Sequence, residues 1–181
     1  MRHFLIVLFL TTFLLSKSQN SIGLEYQRNI EFILLNDYKD LLLSNTSYLI
    51  TKKKGSYKFG YGLEIQESLL GEFGGFYVFG FSTDIDYKIK KIPLSFNVNT
   101  FLGGGGGSSA PDGSGLSYRY AYGLKTHVNQ NFDILLRYSN YSFPNGDISG
   151  KQLQAGFSYS IDSVFNSNFS SSNISNQSIS L

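Results

Sequence analysis

The stretch LSYRYAYGLKTHV, residues 116–128, sets Leu116, Tyr118, Tyr120, Tyr122, Leu124 and Val128 on one parity. Ser117, Arg119, Gly123, Lys125 and His127 occupy the other. Successive side chains of an extended chain point to opposite faces, so this stretch predicts a strand with one greasy and one wet side. The pattern recurs. Residues 56–66 set Tyr57, Phe59, Tyr61, Leu63 and Ile65 against Lys58, Gly60, Gly62, Glu64 and Gln66. Residues 77–89 oppose Tyr77, Phe79, Phe81, Ile85, Tyr87 and Ile89 to Gly80, Ser82, Asp84, Asp86 and Lys88. Residues 94–102 oppose Leu94, Phe96, Val98 and Leu102 to Ser95, Asn97 and Asn99. In residues 132–139, Phe132, Ile134, Leu136 and Tyr138 face away from Asp133, Arg137 and Ser139, with Leu135 the exception. The cleanest case is 152–161, where Leu153, Ala155, Phe157, Tyr159 and Ile161 oppose Gln152, Gln154, Gly156, Ser158 and Ser160.

Two further segments lie upstream. Residues 22–34 carry Ile22, Leu24, Tyr26, Ile30 and Phe32 on one face and Glu25, Gln27, Asn29 and Glu31 on the other, with Arg28 breaking the pattern. Residues 41–51 are less decided: Leu34, Leu35, Tyr38, Leu41 and Leu42 fit a strand or a short amphipathic helix. Counted as strands, the segments number eight. Their even-numbered connections are tight (52–55, 90–91 and 129–130), and their odd-numbered ones are longer (36–40, 67–75, 103–114 and 144–149). An up-and-down barrel places every second connection on the same side, and membrane barrels keep one side short and the other long.

Sidedness decides the environment. With the apolar face inward the chain would be a soluble, lipocalin-like cup for a small apolar ligand. With that face outward, the lumen holds Glu25, Glu31, Lys58, Glu64, Asp84, Asp86, Lys88, Arg119, Lys125, Asp133 and Arg137, six acids against five bases. Each ring buries about 150–250 Å², so an interior of Phe and Tyr would overfill eight strands. The rings are therefore expected outside. Tyr57, Tyr77, Tyr87, Tyr118, Tyr138 and Tyr159 lie near strand ends on the apolar parity, as in an aromatic girdle.

The first 18 residues read as an export signal. Arg2 and His3 precede an apolar run from Phe4 to Leu15, and Ser16 and Ser18 are spaced for cleavage near Ser18. The barrel is expected over 19–161, and the Ser- and Asn-rich residues 162–181 predict a disordered tail. The absence of cysteine excludes a lipobox and a disulfide staple. A net charge of +2, with basic residues scattered apart from Lys52, Lys53 and Lys54, argues against a nucleic-acid partner. That triplet reads as a solvated turn.

Little else suggests chemistry. The run Gly103 to Gly107 lacks the Lys-Ser/Thr and the helix of a phosphate loop, and reads as an external loop or a tight strand crossing. His127 is the one histidine beyond the export signal. A catalytic reading needs a serine and a carboxylate beside it, and the residue two places on is Asn129, unlike the His-X-Ser of outer-membrane lipid A deacylases. His127 is read as a solvated rim residue. No catalytic, cofactor or metal site is assigned.

The export signal, the aromatic alternation and the loop rhythm together resemble the small outer-membrane β-barrel proteins of Gram-negative bacteria. Residues 143–149, FPNGDIS, followed by an alternating strand, look like the end of such barrels. The chain departs from them in continuing past Ile161 to Leu181. The resemblance implies an all-β, eight-stranded antiparallel up-and-down transmembrane barrel in the cell outer membrane, inserted by the barrel assembly machinery and surrounded by outer-membrane lipid. The expected role is non-enzymatic, structural or surface-contacting, with a closed polar lumen; a lipid-modifying enzyme is the further alternative.

Overall fold

The computed structural model describes residues 22–33, 41–70, 75–107 and 110–165. Eight strands follow in chain order: β1 (Ile22–Ile33), β2 (Leu41–Lys54), β3 (Tyr57–Leu70), β4 (Tyr77–Lys88), β5 (Leu94–Gly106), β6 (Leu116–His127), β7 (Phe132–Ser142) and β8 (Ser149–Phe165). Each pairs antiparallel with its sequence neighbours, and β8 returns to β1, so the sheet closes. The strands are 11 to 17 residues long. A tilted strand needs about 9–11 to cross hydrocarbon.

The undecided segment is a strand over its described part, residues 41–54, paired along its length with β1 and β3. Its alternation is blurred because Leu43 and Leu49 lie buried on the inward parity beside Asn45 and Ser47. Residues 35–40 lie outside the described residues. Lys52, Lys53 and Lys54 are not a turn but the end of β2, and the reversal falls on Gly55 and Ser56, with Gly55 at φ 61°. β8 continues to Phe165, beyond the expected end of the barrel at residue 161.

The apolar parity faces outward. Phe81 is 70% exposed and Leu153 66%, whereas Arg119 and Arg137 are 1% exposed and Lys125 is fully buried. Water-soluble proteins bury the opposite classes. Hydrocarbon selects this inverted arrangement, because a closed ladder satisfies every backbone polar group while apolar side chains meet lipid. A soluble cup for an apolar ligand needs the rings inside, and they are outside. Several outer rings contact one another, including Tyr57 with Tyr87 at 5.0 Å and Tyr122 with Tyr138 at 5.7 Å between centroids. Arg28, the break in β1, also sits on the outer face, where its guanidinium lies 3.6 Å from Glu67.

Two further placements differ from the sequence reading. Lys88, expected in the bore, is exposed at the last position of β4. Gly103 to Gly106, expected in a loop, extend β5 and pair with β4, and Gly103 and Gly104 also pair with β6. Bare backbone is needed there: a Cβ on Gly80 would stand 2.3 Å from Leu102 O, and one on Gly103 would stand 2.4 Å from the Phe101 ring. The paired glycines make room for Phe101, which points into the bore and lies under the Arg119 guanidinium at 5.7 Å.

Leu136, exposed near the middle of β7, tests which solvent surrounds the belt. Leu136→Arg is expected to cost about 2–4 kcal/mol of folding stability in phospholipid vesicles, measured by reversible denaturant titration. An unchanged midpoint would mean that this face meets water.

Candidate functional site

Two charged layers lie between the ends of the bore. In the one nearer the short turns, alternate inward positions of β1, β4 and β6 bring Lys125 between three carboxylates. Its Nζ lies 3.0 Å from Glu25 Oε1, 3.2 Å from Asp84 Oδ2 and 2.7 Å from Asp86 Oδ2. The ammonium occupies the point where the acidic trio would otherwise repel itself. Arg137, from β7, donates to Asp84 Oδ1 at 2.8 Å, to Gln27 Oε1 and Gln154 Oε1 at 3.1 Å each, and through Nε to Asn97. Asn97 in turn donates to Asp84 and Asp86 at 2.9 and 2.6 Å. Lys58 pairs with Glu25 and donates to Ser160 Oγ at 2.9 Å.

Arg119 holds the next layer. It grips Glu64 with two parallel bonds of 2.7 and 3.0 Å and donates to Asn99 Oδ1 at 2.6 Å. Two-pronged contact suits the planar guanidinium, and desolvated charges are tolerable in this form. Glu31, 3.8 Å from Arg119, accepts from Asn45, Ser139, Gln152 and Gln154. Of the charges expected inside, Glu25, Glu31, Lys58, Glu64, Asp84, Asp86, Arg119, Lys125 and Arg137 thus meet in one lattice that crosses the bore.

The end carrying the longer connections is closed by an apolar plug. Leu43, Phe76, Val78, Phe101, Tyr141, Phe143 and Ile148 form a buried cluster, with Ala110 packed against it. Phe143 meets Phe76 edge-on at 5.8 Å and Tyr141 at 5.5 Å. The connections over it are tied together: Asp147 N donates to Pro111 O at 2.8 Å, and Asn145 Nδ2 to Ser114 Oγ at 3.1 Å. The described part of the glycine-rich connection is therefore docked onto its neighbour.

The short-turn end is open. A cavity of about 520 Å³ enters there, lined by Lys53, Lys58, Lys88, Ser95, His127, Asn129, Gln130, Asp133 and Ser160 among others. His127 does lie at this rim, but it is not simply solvated. Its Nε2 is 2.7 Å from Ser95 Oγ on β5, and its Nδ1 is 2.7 Å from Asp133 Oδ1 on β7. Ser158 Oγ donates to the other oxygen of Asp133 at 3.2 Å. An ionised carboxylate only accepts, so in the neutral imidazole the tautomer that fits these partners has the proton on Nδ1 and Nε2 accepting from the Ser95 hydroxyl. Ser95 and Asp133 were both on the wet parity of their strands. What linear spacing could not supply is the register: His127 stands opposite Asp133, and β5 pairs beside it, with His127 N bonded to Pro93 O.

No family model and no curated protein matches the sequence. Among solved structures the chain is similar to a de novo designed transmembrane β-barrel, at 8% identity over 80% of this chain and 98% of that one, with a TM-score of 0.48. It is also similar to Neisserial surface protein A (10% identity, 82% and 98% covered, TM-score 0.47). A third is the Yersinia pestis outer membrane protein Ail (14% identity, 78% and 99% covered, TM-score 0.47).

Removing one member of a buried pair strands the other, which costs about 3–5 kcal/mol. Arg119→Ala is expected to lose that much stability by denaturant unfolding in vesicles, and Arg119→Met combined with Glu64→Gln distinctly less. Equal losses in both variants would show that packing, not charge, governs this layer.

Proposed function

We infer that the protein is an exported outer-membrane barrel whose bore does not conduct. Its role is structural or surface-contacting, through the longer connections at one end. The observation that carries this reading is the Lys125–Arg137–Arg119 lattice crossing the bore inside an apolar belt. Eight strands leave an interior filled by side chains, and here the longer-connection end has an apolar plug as well. Barrels of this class keep short turns at the periplasm and long loops outside, so the plug faces the exterior and the open cavity the periplasm. Signal cleavage near Ser18 and insertion by the barrel assembly machinery complete the proposal.

Reconstitution into planar bilayers tests it. The wild-type barrel is expected to give no stable conductance steps while migrating on gels as a heat-modifiable species. Sustained ohmic steps from the folded protein would overturn the sealed bore, and recovery in the soluble fraction of cells would overturn the location.

A further inference from the structure

The open end of the barrel holds the three side chains of an acyl-transfer site, each from a different strand. We propose that Ser95, His127 and Asp133 form a hydrolytic triad that cleaves carboxylic esters entering the short-turn cavity. This goes beyond the structural role above and departs from the expectation of a non-enzymatic barrel.

Three observations converge. The distances of 2.7 Å on both sides of the imidazole are those of a nucleophile, a general base and an orienting carboxylate. Asp133 is fixed from its other oxygen by Ser158, so the carboxylate that faces Nδ1 is itself held. All three triad residues line a cavity of about 520 Å³, room for an acyl ester. Lys88, Asn129 and Gln130, which carry N–H donors, line the same cavity, with Asn129 Oδ1 accepting from the backbone N–H groups of Asn131 and Phe132.

The chemistry balances without a co-reactant other than water. Ser95 Oγ bonds to the ester carbonyl carbon as its proton passes to His127 Nε2. The tetrahedral oxyanion collapses, the carbon–oxygen bond to the alcohol breaks, and the alkoxide leaves with the proton from Nε2. Water then adds to the acyl-Ser95 carbonyl carbon and gives a proton to Nε2. That proton returns to Ser95 Oγ as the carboxylic acid departs. The ester comes from either of two sources, a membrane lipid or a small soluble ester.

Full-length protein folded in detergent or vesicles is treated with a fluorophosphonate and digested for mass spectrometry. Turnover is followed with p-nitrophenyl butyrate and, separately, as fatty-acid release from phosphatidylglycerol vesicles. Labelling of Ser95 is expected, absent in Ser95→Ala and reduced about 100-fold or more in His127→Ala, the usual contribution of a general base. Added imidazole is expected to restore part of the His127→Ala rate, which a purely structural histidine would not do. His127→Asn and Ser95→Gly serve if the first variants lose the heat-modifiable fold. Release from vesicles alone assigns a lipid substrate, and turnover of the butyrate alone a soluble one. A folded wild type that neither labels at Ser95 nor exceeds Ser95→Ala on both esters overturns the proposal.

Discussion

A backbone surrounded by hydrocarbon has no water to bond with, so every N–H and C=O must find a partner inside the protein. Eight strands meet that demand by closing β8 onto β1. Closure then dictates the interior, because a ring of eight is too narrow to stay empty and too enclosed to leave charges single. The lattice around Lys125, Arg137 and Arg119 is the consequence. Each cation reaches carboxylates or amides from strands on other parts of the wall, as when Lys125 of β6 meets Glu25 of β1 and Asp84 of β4. These bonds span the bore, so they brace the ladder from within while the outer rings meet lipid.

The two ends answer different surroundings. Where the longer connections emerge, Phe76, Tyr141, Phe143 and Ile148 fold inward and close the barrel with apolar surface. Where the short turns reverse, Gly55 and Ser56 or Asn129 and Gln130 are too short to cover anything, and the cavity stays open. At that mouth His127 is part-exposed, while Ser95, Asp133 and Ser158, joined to it in one chain of bonds, are buried and so held in a fixed orientation.

Much of this was legible from parity alone. A two-residue period cannot be shifted without turning a whole face over, which is why Tyr118 and Arg119, or Phe157 and Ser158, were placed on the correct sides. Exceptions arose where inward volume rather than polarity was needed: Leu43, Leu49 and Leu135 fill the bore, and the first two blurred β2 into a possible helix. Gly103 to Gly106 looked like a loop because glycine is common in loops, yet they form strand, and at Gly103 and Gly105 Phe101 and the neighbouring backbone leave no room for a Cβ. Lys88 shared the parity of Asp84 and Asp86 but lies one step beyond the bore. The triad was out of reach for another reason. Its members are 32 and 6 residues apart in sequence, and only cross-strand register brings them together.

Sidedness is the claim on which lattice, plug and open mouth all rest, and the absence of tryptophan from the chain makes it directly measurable. Two single-tryptophan proteins, Tyr120→Trp on the outer face and Leu135→Trp in the bore, are compared in vesicles containing brominated phospholipid. Strong quenching of the residue at 120 and weak quenching at 135 is the expected result. Quenching of 120 by aqueous iodide, with none from the brominated chains, would put the rings in water and contradict the inverted barrel.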